Sequence, residues 1–183
     1  MNWEDIITKQ AVKQVPVSVY EFKELEPKAK ERAKKDWYDN EDYPMLSEDL
    51  TEFVKGQLEA NQIIANDGPK VMYSLSYSQG DGLMFTGQFQ YKDINVKVKH
   101  SGHYYHSNSA DFYFTNDDGE DIEGNETYQA TIEEFKSIYK TICKDAEKAG
   151  YAETDYRMTD EEFQEHCEAN DYNFYENGKM ANL

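Results

Sequence analysis

The sequence predicts an α+β domain: an antiparallel β-meander of about four to five strands, with residues 71–115 as its core, packed on one face by amphipathic helices. Three observations predict it. Residues 71–115 alternate apolar and polar side chains with a period of two, giving a sheet one greasy and one polar face. The flanking segments repeat apolar residues at spacings of three and four, the period of helices able to cover the greasy face. The 183 residues include 15 Tyr, 9 Phe and 2 Trp, far too many aromatics for a disordered acidic chain.

The elements follow in order. Val15–Phe22 reads as a short strand whose Pro16 favours an edge, because proline cannot donate to a ladder. Pro27 suits the first turn of a helix, and Ala29, Ala33 and Trp37 share one face of a segment near 26–38. Turn formers over Asp39–Pro44 precede a second helix near 45–64. There Leu46, Leu50, Phe53, Val54 and Leu58 recur at helical spacing and Ser47 or a neighbour is a candidate cap. Asn66-Asp67-Gly68-Pro69 ends it.

In the sheet, Tyr73, Leu75, Phe85, Phe89, Val96 and Val98 are expected on the buried face. Ser74, Ser76, Thr86, Gln88, Lys97 and Lys99 are expected on the polar one, and Phe112 and Phe114 close the series. Thr131-Ile132-Glu133-Glu134 has capping-box spacing and opens a helix predicted over 131–149. Its Ile132, Phe135, Ile138, Ile142 and Ala146 form a stripe that stops at Gly150. Thr159-Asp160-Glu161-Glu162 repeats the signal for a short helix through Ala169, and Tyr172–Tyr175 is a possible last strand. No repeat or low-complexity linker interrupts the chain. The expected organisation is therefore one domain over 1–183: an N-terminal strand and helices over 15–64, the sheet over 71–115, and C-terminal helices over 131–170.

Charge narrows the function classes. Lys plus Arg number 19 and Asp plus Glu 37, a formal net charge of −18. Residues 1–70 carry 10 basic and 15 acidic groups, residues 71–115 carry 3 and 3, and residues 116–183 carry 6 and 19. The last third therefore holds −13 of the −18. Such a field repels free nucleic acid, whose affinity for proteins comes chiefly from phosphate neutralisation. It attracts basic protein surfaces, and it also serves plain solubility. No run of about 18 apolar residues is present, so no membrane partner is expected. MNWEDIITKQ lacks the basic start and apolar stretch of a secretory signal. A cytoplasmic protein is expected, with Cys143 and Cys167 as free thiols.

Catalytic and metal chemistry find little support. His100, His103 and His106 are concentrated, but residues three apart on a strand alternate faces, so convergence needs a turn at Ser101-Gly102. Solvated or sheet-lining histidines are the simpler reading, and no metal or cofactor is expected. The acidic loop Asn116–Glu126 is dense in oxygen ligands yet lacks the order of an EF-hand loop. Gln79-Gly80-Asp81-Gly82 is a hairpin turn and not a phosphate-binding loop. Ser74, Ser76 and Ser78 have no base fixed beside a hydroxyl. Asp81, Asp93 and Asp111 are the carboxylates within the sheet, too few and too scattered to hold a nuclease metal. The chain is not expected to be an enzyme.

Three segments carry a resemblance. They are Tyr20–Leu25 with Lys28–Ala33 and Trp37-Tyr38; Ser74-Leu75-Ser76-Tyr77-Ser78-Gln79-Gly80-Asp81-Gly82 leading to Phe85-Thr86-Gly87; and Glu168–Lys179. In that order and spacing, with the turn Gly102–His106, the chain resembles a family of small acidic proteins of bacteriophages and other mobile elements, some of them antitoxin-like. In size and acidity it is also similar to the anti-CRISPR proteins that inhibit the RNA-guided DNA nuclease of type II systems. The resemblance implies an inhibitor that acts in the host bacterial cell, binds the guide-loaded nuclease and blocks target DNA binding or cleavage. That effector offers Lys- and Arg-lined channels. The alternative it implies is an antitoxin-like or accessory phage protein that binds another basic partner. Two partner-binding patches are candidates: Asp117, Asp118, Glu120, Asp121 and Glu123 in the loop, and Asp160, Glu161, Glu162, Glu165 and Glu168 on the short helix. Each is either a mimic of a row of phosphates or a solvated face.

Overall fold

A computed structural model describes residues 17–40 and 44–181. They fall into two compact units: residues 44–158 form the larger, and residues 17–40 with 159–181 the smaller. The secondary structure is α+β, with four helices and a five-stranded antiparallel sheet.

The larger unit holds helix α2 (Pro44–Ala60), strands β1 (Ile63–Ala65), β2 (Lys70–Ser74), β3 (Gly82–Tyr91), β4 (Ile94–His100) and β5 (Ala110–Thr115), and helix α3 (Gln129–Arg157). The smaller unit holds α1 (Pro27–Asn40) and α4 (Asp160–Ala169). Strand β3 is the spine of the sheet. On one edge its first half pairs with β2, with Val71 opposite Phe85, and its last residues pair with β1, with Ile63 opposite Tyr91. On the other edge β4 pairs from Gly87 onward, with Phe89 opposite Val96, and β5 follows β4.

Alternation places the expected apolar face correctly. Phe85, Phe89, Val96, Val98 and Phe114 are buried, and Tyr73 packs half-buried against the same core. Leu75 is buried too, but it lies beyond the end of β2. Helices α2 and α3 cover this face with Leu46, Leu50, Val54 and Leu58 from one, and Ile132, Phe135, Tyr139, Ile142 and Ala146 from the other. Each row recurs at three or four residues, so all its members point to one side. Tyr139 brings a polar group into this core: its hydroxyl donates to the Phe85 carbonyl at 2.8 Å and accepts from the Phe85 N–H at 3.3 Å. Phe85 lies past the end of the β3–β4 ladder, so the phenol satisfies strand groups that β4 does not reach.

Several expected boundaries move. The second helix stops at Ala60 rather than running to 64, because Ile63-Ile64-Ala65 pairs with β3 as β1. Gln62, with φ +58°, makes the turn between them. Ser47 sits inside α2, where its carbonyl accepts from the Thr51 hydroxyl, and is not its cap. Helix α3 begins at Gln129, so Thr131 is inside it and the expected capping box does not form. Nor does α3 stop at Gly150. There the missing Cβ lets Leu75 approach: a Cβ would lie 2.4 Å from Leu75 Cδ1, with Leu50 behind it at 3.5 Å. Gly150→Ala is therefore expected to lower stability by about 1 kcal/mol, overpacking outweighing the helix propensity gained. Gly56→Ala in α2 meets nothing within 4 Å, so it is expected to raise stability by about 0.5–1 kcal/mol. Urea unfolding of the two variants checks the opposite signs.

In the smaller unit, α1 buries Ala29, Ala33 and Trp37, the predicted stripe. It packs within that unit, and the described cover of the sheet comes from α2 and α3 of the larger unit. Of the strand expected over 15–22, Val15 and Pro16 lie outside the described residues. Tyr20 makes one antiparallel bridge, with Phe174, and Phe22–Glu24 coil into a 3-10 turn. A single bridge forms because Phe22 is drawn into an aromatic cluster instead. Its ring meets Phe163 edge-on at 4.8 Å, and Trp37 meets Phe163 at 5.2 Å. The tail folds back on itself: Phe174 also bridges Met180, around a turn in which the Gly178 N–H donates to the Tyr175 carbonyl.

Candidate functional site

The acidic loop between β5 and α3 is a built structure rather than a loose end. Asn116 organises it: its side-chain oxygen accepts from the Glu120 N–H at 2.9 Å and its carbonyl from the Gly119 N–H at 3.0 Å. The Asn116 N–H donates to the Glu120 carbonyl at 3.0 Å. Ile122 is then buried, and its N–H donates to Phe114, which ties the loop to the outer edge of β5. Asp121 bridges Thr115 and accepts from the Glu123 N–H at 2.9 Å. A buried apolar side chain within an acidic stretch thus fixes the backbone, and the acids must point outward.

Asp117, Asp118, Glu120, Asp121 and Glu123 are all exposed. Their polar partners are Asn95, Asn116 and backbone N–H groups. Among the described residues none of the five forms an ion pair with a cation. The loop therefore presents uncompensated negative charge from a fixed backbone.

Helix α4 is a less uniform acidic surface. Thr159 caps it as expected, its hydroxyl accepting from the Glu162 N–H at 3.3 Å. Asp160, Glu161 and Glu162 occupy the first turn, where the helix dipole favours negative charge. Asp160 is paired with Lys34 at 2.5 Å, and this hydrogen-bonded ammonium lowers its pKa. Glu162 is half-buried. Glu161, Glu165 and Glu168, at spacings of four and three, form the outward stripe. The structure keeps the loop set and the helix set in separate units.

The turn carrying Gln79-Gly80-Asp81-Gly82 is more than a hairpin, and here the sequence reading needs correction. The strand ends at Ser74, so Ser76 and Ser78 are not on its polar face. They turn back onto Asp81. One carboxylate oxygen accepts from the hydroxyls of Ser74, Ser76 and Ser78 at 2.9, 3.0 and 3.1 Å. The other accepts from the N–H groups of Ser76 and Ser78 at 2.7 and 2.9 Å and from the Tyr151 hydroxyl at 2.9 Å. Partial burial pushes this carboxyl up. The bonds from the Ser78 N–H, Ser74, Tyr151 and Ser76 outweigh it and hold the group well below the usual carboxylate range. A carboxylate is thus fixed beside three hydroxyls after all. With its lone pairs occupied and its basicity depressed, it clasps the loop and does not serve as a base. The readable signal was alternate serines followed by an aspartate, the composition of side-chain-to-backbone turns.

The histidines do not converge. His100 Nε2 lies 3.3 Å from the Tyr104 carbonyl, and His106 Nδ1 lies 3.3 Å from the Ser109 hydroxyl. No group of three His, Cys, Asp or Glu side chains among the described residues is placed to hold a metal ion. Asp81 and Asp93 fall at opposite ends of β3, and Asp111 is on β5. Cys143 and Cys167 are free and buried, and burial pushes each thiol up to about 12. No helix among the described residues is long and apolar enough to cross a membrane. No protein-family model, curated protein or solved structure matches this chain.

Proposed function

We propose that this chain is a non-catalytic acidic inhibitor that occupies a basic, nucleic-acid-binding surface of a partner protein. The partner suggested by the resemblance is the guide-loaded RNA-guided DNA nuclease of type II systems. One observation carries the reading: the loop segment of residues 116–123 holds five exposed carboxylates on a hydrogen-bonded backbone, with no cation paired to them among the described residues. A fixed row of unpaired negative charges suits a channel built for phosphates, and its rigidity limits the ordering cost of binding. The stripe Glu161, Glu165 and Glu168 offers a second, weaker contact of the same kind.

Size-exclusion chromatography of the full chain with the guide-loaded nuclease tests this. Co-elution is expected at low salt, weakening steeply towards physiological salt because exposed charges are screened over about 8–10 Å. A complex indifferent to salt would contradict binding by charge. Absence of any complex would overturn the nuclease as partner and put the antitoxin-like reading in its place.

A further inference from the structure

We infer that two touching loops of the larger unit, residues 76–80 and 103–106, form a preorganised tyrosine surface that docks an arginine-bearing segment of a partner protein. This surface is distinct from the acidic loop, and the inference does not depend on which protein that loop engages. Three of the eight large apolar or aromatic side chains left exposed among the described residues are on these loops: Tyr77 at 61 %, Tyr104 at 50 % and Tyr105 at 37 %.

The loops interlock through two glycines. A Cβ at Gly80 would lie 2.5 Å from the Tyr104 ring, and one at Gly82 would lie 2.9 Å from the Tyr105 carbonyl oxygen. Gly80 adopts φ +101°, which only glycine takes without strain. Tyr77 adopts φ +57°, a left-handed conformation rare for a bulky residue. Its hydroxyl donates to Asp155, and its ring lies 4.7 Å from that of Tyr151. The Asp81 clasp holds the backbone on either side of Tyr77 through the N–H groups of Ser76 and Ser78. An unfavourable backbone conformation is therefore fixed so as to leave an aromatic ring in solvent. The contacts with Tyr151 and Asp155 hold this ring in place yet leave most of it outside the core, as a binding surface requires.

Charge chooses the occupant. Neither loop segment carries a formal charge, yet the chain as a whole is at −18 and the carboxylate of Asp155 lies at the Tyr77 hydroxyl. Phosphate-bearing ligands are repelled by this field. A guanidinium is attracted by it, stacks flat on tyrosine faces and forks onto a carboxylate. The ammonium of lysine does none of this as well. Rigid tyrosines opposite arginine are also a common pairing at the centres of protein interfaces.

Titrating the isotope-labelled full chain with a capped hexa-arginine peptide, a capped hexa-lysine peptide and a six-nucleotide oligothymidylate, with NMR detection, tests the assignment. The arginine peptide is expected to move the ring and amide resonances of Tyr77, Tyr104 and Tyr105. The lysine peptide should act at those positions several-fold more weakly. Each ring contributes about two- to fivefold, so Tyr104→Ser with Tyr105→Ser should weaken arginine-peptide binding at this surface about tenfold. Tyr104→Phe with Tyr105→Phe keeps both rings and should retain it. Shifts confined to residues 116–126, equal action of the two peptides at the tyrosines, tighter binding of the oligothymidylate, or an unaffected serine double variant would each overturn the proposal.

Discussion

Asp81→Asn is expected to cost the larger unit about 3 kcal/mol at neutral pH, a drop in melting temperature on the order of 10 °C. The carboxylate accepts six hydrogen bonds, two from backbone N–H groups and four from hydroxyls. A carboxamide has one oxygen and presents N–H groups where the second stood, so at least two donors lose their partner in a turn where Ser74, Asp81 and Tyr151 are half-buried and Ser76 and Ser78 exposed. The pH dependence separates this from a simple packing loss. The native pKa of Asp81 is depressed below its ordinary value of 3.8. Its contribution is therefore fully present above that value and is lost as pH falls from there towards the native pKa. The stability gap between parent and variant should stay constant from pH 7 to about 5 and narrow below about pH 4. A gap that persisted unchanged into acid would show that charge plays no part in the clasp.

Gly178→Ala should be at least as damaging to the smaller unit. Gly178 has φ +84°, and an added Cβ would lie 2.1 Å from the Ala29 carbonyl oxygen and 2.9 Å from its carbon. Those are backbone atoms of α1, so no rotamer change relieves the clash; the tail hairpin must lift from the helix. A loss of about 3 kcal/mol or more is expected, with exposure of the Phe22–Phe163–Phe174 cluster. Gly119→Ala is the control. It has a similar φ of +80° with nothing within 4 Å, so it should cost only the conformational preference, about 1 kcal/mol. Thermal unfolding of both variants reads the difference directly.

The fold was legible where a periodic signal ran uninterrupted. Alternation over Phe85–Tyr91 and Ile94–Val98 gave strands and buried faces, although Met84, which the alternation set on the polar side, is buried as well; Thr159 with Glu162 gave a helix start, because these signals depend only on near neighbours. Legibility failed where distant contacts decided. Gly150 looks like a stop, but Leu75 packs on it and α3 runs on to Arg157. Ile63-Ile64-Ala65 looks like the end of a helix until β3 offers it an edge. The alternation through Ser76 and Ser78 looks like more strand, because only the folded turn brings Asp81 back onto them. The acidic loop was legible as a composition. What the sequence alone could not supply was Ile122, buried against β5, which turns a run of acids into an ordered presentation of charge.

The central claim is that this ordered charge binds a basic partner surface, and it is tested most directly by neutralising the loop in one step. Asp117→Asn, Asp118→Asn, Glu120→Gln, Asp121→Asn and Glu123→Gln preserve side-chain size and leave an oxygen to accept the internal hydrogen bonds. Each exposed charge contributes on the order of 0–1 kcal/mol, so the five together should weaken affinity for the guide-loaded nuclease by tenfold or more. The parallel Glu161→Gln, Glu165→Gln and Glu168→Gln variant should lose less. Binding of the five-fold loop variant with parental affinity, in a protein of unchanged stability, would contradict the account.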